Sequence, residues 1–210
     1  MSGIKLVFLG DSGVGKSCII TRFLNGVFDN RQAIIEGSYA NTTIEIPEVG
    51  KSLDLEIWDT NGREQYRALN KFFYQDAKIV ILVYDTTRKV SYDNMINTWY
   101  NNLKENGEPN VIIGIVGSKS DLYEEEAVSE YEARNFAESI GAIFCLTSAQ
   151  KNSGIDELFS LLGKKYLESI STTIESDMKK PEQKEDNKIG ERDVVKKNEE
   201  QKKKKKCIII

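Results

Sequence analysis

Histidine is absent from this 210-residue chain, and that absence removes much chemistry at once. Ser-His and Cys-His nucleophile pairs are excluded. The usual zinc sites are excluded too, because there is no CxxC pair. Cysteine is scarce: Cys18, Cys145 and Cys207 are the full set. An odd, scattered set makes no disulfide framework and suits a reducing compartment. Long apolar runs are missing. Ile79 to Tyr84, and Val111 to Val116 with one Gly inside, are the longest, far below the ~20 residues of a membrane span. Met1-Ser2-Gly3 leads straight into Ile4-Lys5-Leu6-Val7-Phe8-Leu9, which reads as a buried strand too short for a signal peptide. Ser2 breaks the N-myristoylation pattern.

A modest net charge of −4 conceals a split. Residues 171–210 hold 11 Lys, 1 Arg and 9 acidic residues, a net of +3, which leaves −7 on residues 1–170. An acidic domain with a basic tail argues against nucleic-acid binding and for a membrane-surface protein. Composition changes near Ile170, and residues 171–210 are expected to form a disordered tail. Ser176 to Lys206 is dominated by Lys, Glu, Asp and Gln and has no aromatic residue. Such a stretch buries too little apolar surface to offset its ordering entropy, so it is expected to be a disordered linker.

Upstream, short apolar segments alternate with amphipathic ones. The pattern predicts strands at 4–9, 39–46, 53–58, 78–84, 111–117 and 142–146. Helices are predicted at 17–25, 60–75, 91–106, 128–140 and 155–168, with a polar loop at 29–38. Pro47 to Ser52 has turn chemistry and makes a hairpin of the second and third strands. Strand–helix alternation predicts an α/β domain, a mostly parallel six-stranded sheet with helices on both faces. Ligands of such sheets sit at the C-terminal strand ends.

Every chemistry-bearing motif falls at one of those ends. Gly10-Asp11-Ser12-Gly13-Val14-Gly15-Lys16-Ser17 fits GxxxxGK[ST] between a strand and a helix, the setting the phosphate-binding P-loop requires. Its glycines let backbone N–H groups ring the phosphates, and the helix N-terminus adds partial positive charge. Lys16 reaches for the terminal phosphates and Ser17 offers a hydroxyl to Mg²⁺. The motif alone names neither base nor reaction, since kinases and ATPases share it.

Four further segments narrow the choice. Trp58-Asp59-Thr60-Asn61-Gly62 resembles WDTAG, Ser118-Lys119-Ser120-Asp121 resembles NKxD, and Thr147-Ser148-Ala149 resembles TSA. Phe28 stands where an aromatic residue meets the base. In this order the segments are similar to the small GTPases of the Ras superfamily over residues 4–168. Leu82 to Thr87 and Trp99 look like the Rab branch, while Ile35 to Tyr39 looks like the Ras effector segment. The resemblance implies a monomeric P-loop G domain over 1–170 that binds GTP and GDP with Mg²⁺. It implies nucleotide contacts from Asp11, Ser12, Gly13, Val14, Gly15, Lys16, Ser17, Cys18, Phe28, Gly62, Ser118, Lys119, Asp121, Ser148 and Ala149. Ser17 and Asp59 take the metal places, and Lys16, Gly62 and Arg63 the catalytic ones. Exchange factors, activating proteins and effectors are the implied partners at the switch regions.

The chain departs from the family at three places. Ile34 stands where a Thr would bind Mg²⁺. Arg63 replaces the Gln that orients the attacking water, and a guanidinium has donors only. It is read either as an exposed residue that leaves hydrolysis slow or as an arginine finger in cis. Ser118 replaces Asn, so one donor stands where the amide has two, and looser tethering to the P-loop is expected. Two functions therefore stand side by side: a slow GTPase switch, and a GTP-binding adaptor whose work is partner binding. A nucleotide-free scaffold is a third, weaker idea. At the far end, Lys202 to Lys206 precedes Cys207-Ile208-Ile209-Ile210, a polybasic run joined to a C-a-a-X ending. It implies prenylation of Cys207 and anchoring on the cytoplasmic face of a membrane, with a cytosolic pool.

The base assignment carries a prediction. Guanine presents N1–H and N2–H, and the Asp121 carboxylate can accept both, whereas adenine would turn an acceptor toward it. Asp121→Asn is expected to weaken GTP binding and favour xanthine nucleotides, because an amide donates where the carboxylate accepted. Competition binding with GTP, XTP and ATP checks this. Discrimination of guanine from adenine should reach ~10⁴ in the parent chain, and equal binding of ATP and GTP would contradict the assignment.

Overall fold

The computed structural model describes residues 3–28, 39–60 and 73–178; the side chains of 173–178 are outside that set. Six strands form one sheet: β1 (Ile4–Leu9), β2 (Tyr39–Ile46), β3 (Lys51–Asp59), β4 (Ile79–Asp85), β5 (Ile112–Ser118) and β6 (Ile143–Thr147). Their order is β2-β3-β1-β4-β5-β6. β2 runs antiparallel to β3, and every other pairing is parallel. The expected hairpin is present. A 3₁₀ turn (Pro47–Val49) makes the connection, with Gly50 at φ 60° closing it.

Period-2 alternation decides which face each β1 residue serves. Leu6 and Phe8 face the helices α1 (Lys16–Asn25) and α5 (Ile155–Met178), packing with Ile19, Ile20, Phe159 and Leu162. The Phe23 and Phe159 rings stack at 3.6 Å between centroids and join the two helices. Val7 and Leu9 face the opposite layer with Tyr92, Met95, Trp99 and Leu103, and with Ala133 and Ala137 of α4 (Glu130–Ser139). Helices thus cover both faces, as the strand–helix alternation requires. Ser129 caps α4, its hydroxyl accepting the Glu132 N–H at 3.2 Å.

Two elements differ from expectation. Residues 89–106 form one continuous helical stretch of three segments: α2 (Lys89–Asn94), a π-helical turn (Met95–Tyr100) and α3 (Asn101–Asn106). The other is α5, which ends at Met178 rather than 168, so 171–178, assigned to the disordered tail, are helical. No proline interrupts it before Pro181, and the hydroxyls of Ser169, Ser171 and Thr172 bond back to the carbonyls of Tyr166, Leu167 and Glu168. The chain divides into two units, Met1–Thr173 and Ile174–Ile210. The loop expected at 29–38, most of the helix expected at 60–75, and the tail beyond 178 lie outside the described residues.

Parallel register sets the site. Phe8 pairs with Asp59, which brings the β3 carboxylate to the start of the loop after β1. Asp85 pairs with Ser118 and Ser118 with Thr147, so these three ends form one row.

Candidate nucleotide site

The loop from Gly10 to Gly15 turns between β1 and α1 through left-handed backbone. Gly10 has φ 145°, Gly13 φ 77° and Gly15 φ 102°. At Gly10 the constraint is also steric, because a Cβ would come within 2.2 Å of the Val83 carbonyl oxygen. α1 begins at Lys16 with no side-chain cap. Its first N–H groups are therefore available to an anion.

Lys16 is 4% exposed. Its Nζ donates to the carbonyls of Gly10 at 2.8 Å and Asp11 at 2.9 Å, which aims the ammonium across the loop. Burial pushes its pKa down to about 8, against the opposing pull of Asp59 and Asp11. The Ser17 hydroxyl donates to Asp59 Oδ2 in a short contact. Burial raises the Asp59 pKa, while the Ser17 bond and Lys16 oppose the rise. Asp59 Oδ1 is buried with no hydrogen-bond partner among the described residues. An orphaned carboxylate oxygen beside a hydroxyl suits a hard divalent cation that draws its other ligands from phosphate and water. The donor set fits Mg²⁺.

Beside this cluster lies a cleft of about 250 Å³ lined by Gly15, Cys18, Ile19, Phe28, Ser118, Lys119, Asp121, Leu122, Ala149 and Gln150. Asp121 Oδ1 accepts from the Ser148 hydroxyl at 2.6 Å, which fixes the rotation of the carboxylate. Ser120 N–H bonds the Thr147 carbonyl at 3.1 Å, joining the two loops. Lys119 adopts φ 61° and its Nζ lies 2.6 Å from Asp85 Oδ2. Burial opposes ionisation of Asp85. Hydrogen bonds from Lys119 and Thr87 outweigh it and lower the pKa.

The expected positions from Asp11 to Cys18, with Phe28, Asp59, Ser118, Lys119, Asp121, Ser148 and Ala149, thus gather at the C-terminal strand ends. Gly62, Arg63, Ile34 and Cys207 lie outside the described residues. Ser118 touches the P-loop: its hydroxyl faces the carbonyl oxygens of Val14, in a short contact, and Tyr84 at 2.9 Å. It has a single proton for both acceptors.

Sequence reading misses two residues that hold this site. Asp85 is 1% exposed and anchors Lys119. Arg22 of α1 donates to the carbonyls of Ala149 at 2.6 Å, Gly26 at 2.7 Å and Gln150 at 3.3 Å. One guanidinium fork therefore ties the Ala149 loop and the segment leading to Phe28 onto the P-loop helix. A polar residue on a helix whose opposite face is apolar gives no signal of this.

A P-loop at the head of such a sheet, with an acidic residue and a lysine in the neighbouring loop, is the architecture of a G domain. The Ras family model matches residues 5–168, and the chain belongs to that family of small GTPases, close to the Rab branch. It is 40% identical over 158 residues to Ras-related protein Rab-22A of Homo sapiens, spanning 74% of this chain and 79% of that protein. It is 38% identical to Ras-related protein RGP2 of Oryza sativa subsp. japonica over 159 residues, 75% of this chain and 72% of that one. Ras-related protein YPT3 of Nicotiana plumbaginifolia is 38% identical over 157 residues, 74% and 71%. Members of this family bind GTP and GDP and work through regulators and effectors.

Removing the Arg22 fork frees two carbonyls of the base loop. Arg22→Ala is expected to speed release of bound guanine nucleotide about tenfold, the equivalent of one or two net hydrogen bonds. Displacement of a fluorescent GDP checks this, and an unchanged rate would mean the loop is held without Arg22.

Proposed function

We propose that the chain is a guanine-nucleotide-dependent switch that hydrolyses GTP slowly and works at a membrane, in vesicle traffic or signalling. The observation that carries the reading is the adjacency of the base cleft around Asp121 to the Lys16–Ser17–Asp59 cluster. In this reading the inward N–H groups of Gly13 to Lys16 and the Lys16 ammonium hold the phosphates. Asp121 accepts the guanine N–H pair, the Lys119 stem covers a base face, Phe28 borders the base, and the Ala149 N–H meets the guanine oxygen. Ser17 and Asp59 hold Mg²⁺, which when bound neutralises phosphate charge. Gly62 contacts the terminal phosphate.

Slow turnover follows from Arg63 and Ile34. A guanidinium accepts no hydrogen bond from the attacking water, and Ile34 has no hydroxyl for the metal. The same two residues favour the second reading, a GTP-binding adaptor that signals by occupancy alone. Extraction and identification of the nucleotide carried by purified protein tests the common premise. Intrinsic turnover should be at or below the ~10⁻⁴ s⁻¹ of an unassisted small GTPase. Arg63→Gln should raise it if Ile34 is not the tighter limit. A native rate ten or more times higher would speak for Arg63 as a finger in cis. No phosphate release with or without activators would favour the adaptor.

The tail belongs to the same proposal. A single prenyl chain anchors reversibly, and each lysine of 202–206 adds up to ~1 kcal/mol at an anionic leaflet. Among the described residues no helix is long and apolar enough to cross a membrane. Cys207→Ser is expected to shift the protein to the cytosol at any salt concentration, whereas five Lys→Gln changes should weaken binding mainly to anionic bilayers. Fractionation with mass analysis of the C-terminal peptide checks this, and an unmodified Cys207 in the native cell would refute the anchor.

A further inference from the structure

A negative side chain sits inside the loop that is to receive a polyanion. Asp11 follows the first glycine of the P-loop, and its backbone carbonyl accepts from Lys16 Nζ at 2.9 Å. The carboxylate of the same residue is near enough for its charge to act on that ammonium, where it opposes the effect of burial. It makes no hydrogen bond to Lys16; each of its oxygens takes a different donor. Trp99 Nε1 donates to Oδ1 at 2.8 Å, and Asn94 Nδ2 donates to Oδ2 at 2.8 Å.

These two donors are five residues apart, a spacing that an ordinary helix would not put on one face. At about 3.6 residues per turn, positions five apart diverge by roughly 140° around the axis. In a π-helix the i→i+5 hydrogen bond stacks such positions. The π-helical turn at Met95–Tyr100 starts directly after Asn94 and contains Trp99, and it is what lets one carboxylate meet both. Trp99 is 2% exposed, its ring packed in the core with Tyr92 and Leu103, so the indole N–H is held in place. Ser91 and Asp85 fasten the start of the helical stretch: Asp85 N–H donates to the Ser91 hydroxyl at 3.0 Å.

We infer that Asn94 and Trp99, aligned by the π-helical turn, are positioning residues that hold the Asp11 carboxylate away from Lys16 and out of the phosphate cradle. The inference rests on the nucleotide reading above. Two neutral donors hold the carboxylate without bringing a second cation to pair with the phosphates. Freed, the carboxylate swings toward its nearest ammonium and repels the incoming ligand. GTP carries one more negative charge than GDP, so it is the more affected of the two.

The test is the dissociation rate of fluorescent GDP and of a fluorescent non-hydrolysable GTP analogue from the full chain with Mg²⁺. Asn94→Ala combined with Trp99→Phe is expected to speed release about tenfold, more for the triphosphate, and the effect should shrink when salt is raised to ~0.5 M. In an Asp11→Asn background the same two changes should alter the rate less than about twofold, because the charge they restrain is gone. If the double variant fails to fold, Asn94→Ala alone is measured, with about a threefold effect expected. A loss that is equal in the Asp11→Asn background and indifferent to salt would assign the pair to packing alone and overturn the inference. No effect of the changes on a chain that binds nucleotide would overturn it as well, while leaving the nucleotide reading intact. Failure of the unaltered chain to bind guanine nucleotide would overturn both.

Discussion

A loop that grips phosphate with its backbone must turn N–H groups inward, and most residues cannot take the conformations this needs. Gly10, Gly13 and Gly15 take them here, and Gly10 does so against the Val83 carbonyl, with no room for a side chain. The sheet supplies the rigid frame for that turn. β1 lies between β3 and β4 and buries residues of both faces, so the loop leaves from a point that packing holds on two sides. Asp59 arrives beside it through the β1–β3 register.

Charge at this site is managed by geometry. A buried ammonium, Lys16, stands among carbonyls and two carboxylates, and burial depresses its pKa while Asp59 and Asp11 resist. Each carboxylate is given its own partners: Ser17 on Asp59, Asn94 and Trp99 on Asp11, Lys119, Arg88 and Thr87 on Asp85, and Ser148 on Asp121. Asp59 keeps an oxygen without a partner among the described residues, which suits a cation. Because a charge buried without a partner costs several kcal/mol, these assignments also restrict how the loops can move.

The base cleft is assembled from four separate parts of the chain and has no element of its own. α1 contributes Cys18 and Ile19, the segment after α1 contributes Phe28, and the loops after β5 and β6 contribute Lys119, Asp121 and Ala149. Arg22 couples the first of these to the last, and Ser118 couples the β5 end to the P-loop. Phosphate loop and base loops are therefore mechanically linked, so that loosening either one reaches the other. With Ser118 at this place, one proton serves two carbonyls.

Much of this was legible in the residues. The apolar run at 4–9 marked a buried strand, because a strand covered on both faces needs apolar residues at successive positions. The P-loop was legible because backbone geometry dictates its residue types, and the Ser118–Asp121 and Thr147–Ala149 segments through their resemblance to NKxD and TSA. The end of α5 was misjudged, since polar composition beyond 168 was read as the end of helix, although a helix needs only continued backbone bonding and no breaker. What only the tertiary structure decided is which donor meets which acceptor. Arg22 reaches Ala149 across 127 positions of sequence, and Trp99 reaches Asp11 across 88. The π-helical turn at Met95–Tyr100 was not distinguished from the single helix expected over 91–106. Residue chemistry determined what the site can bind. The packing of distant segments determined how its charges are held apart, since that depends on distances no local pattern encodes.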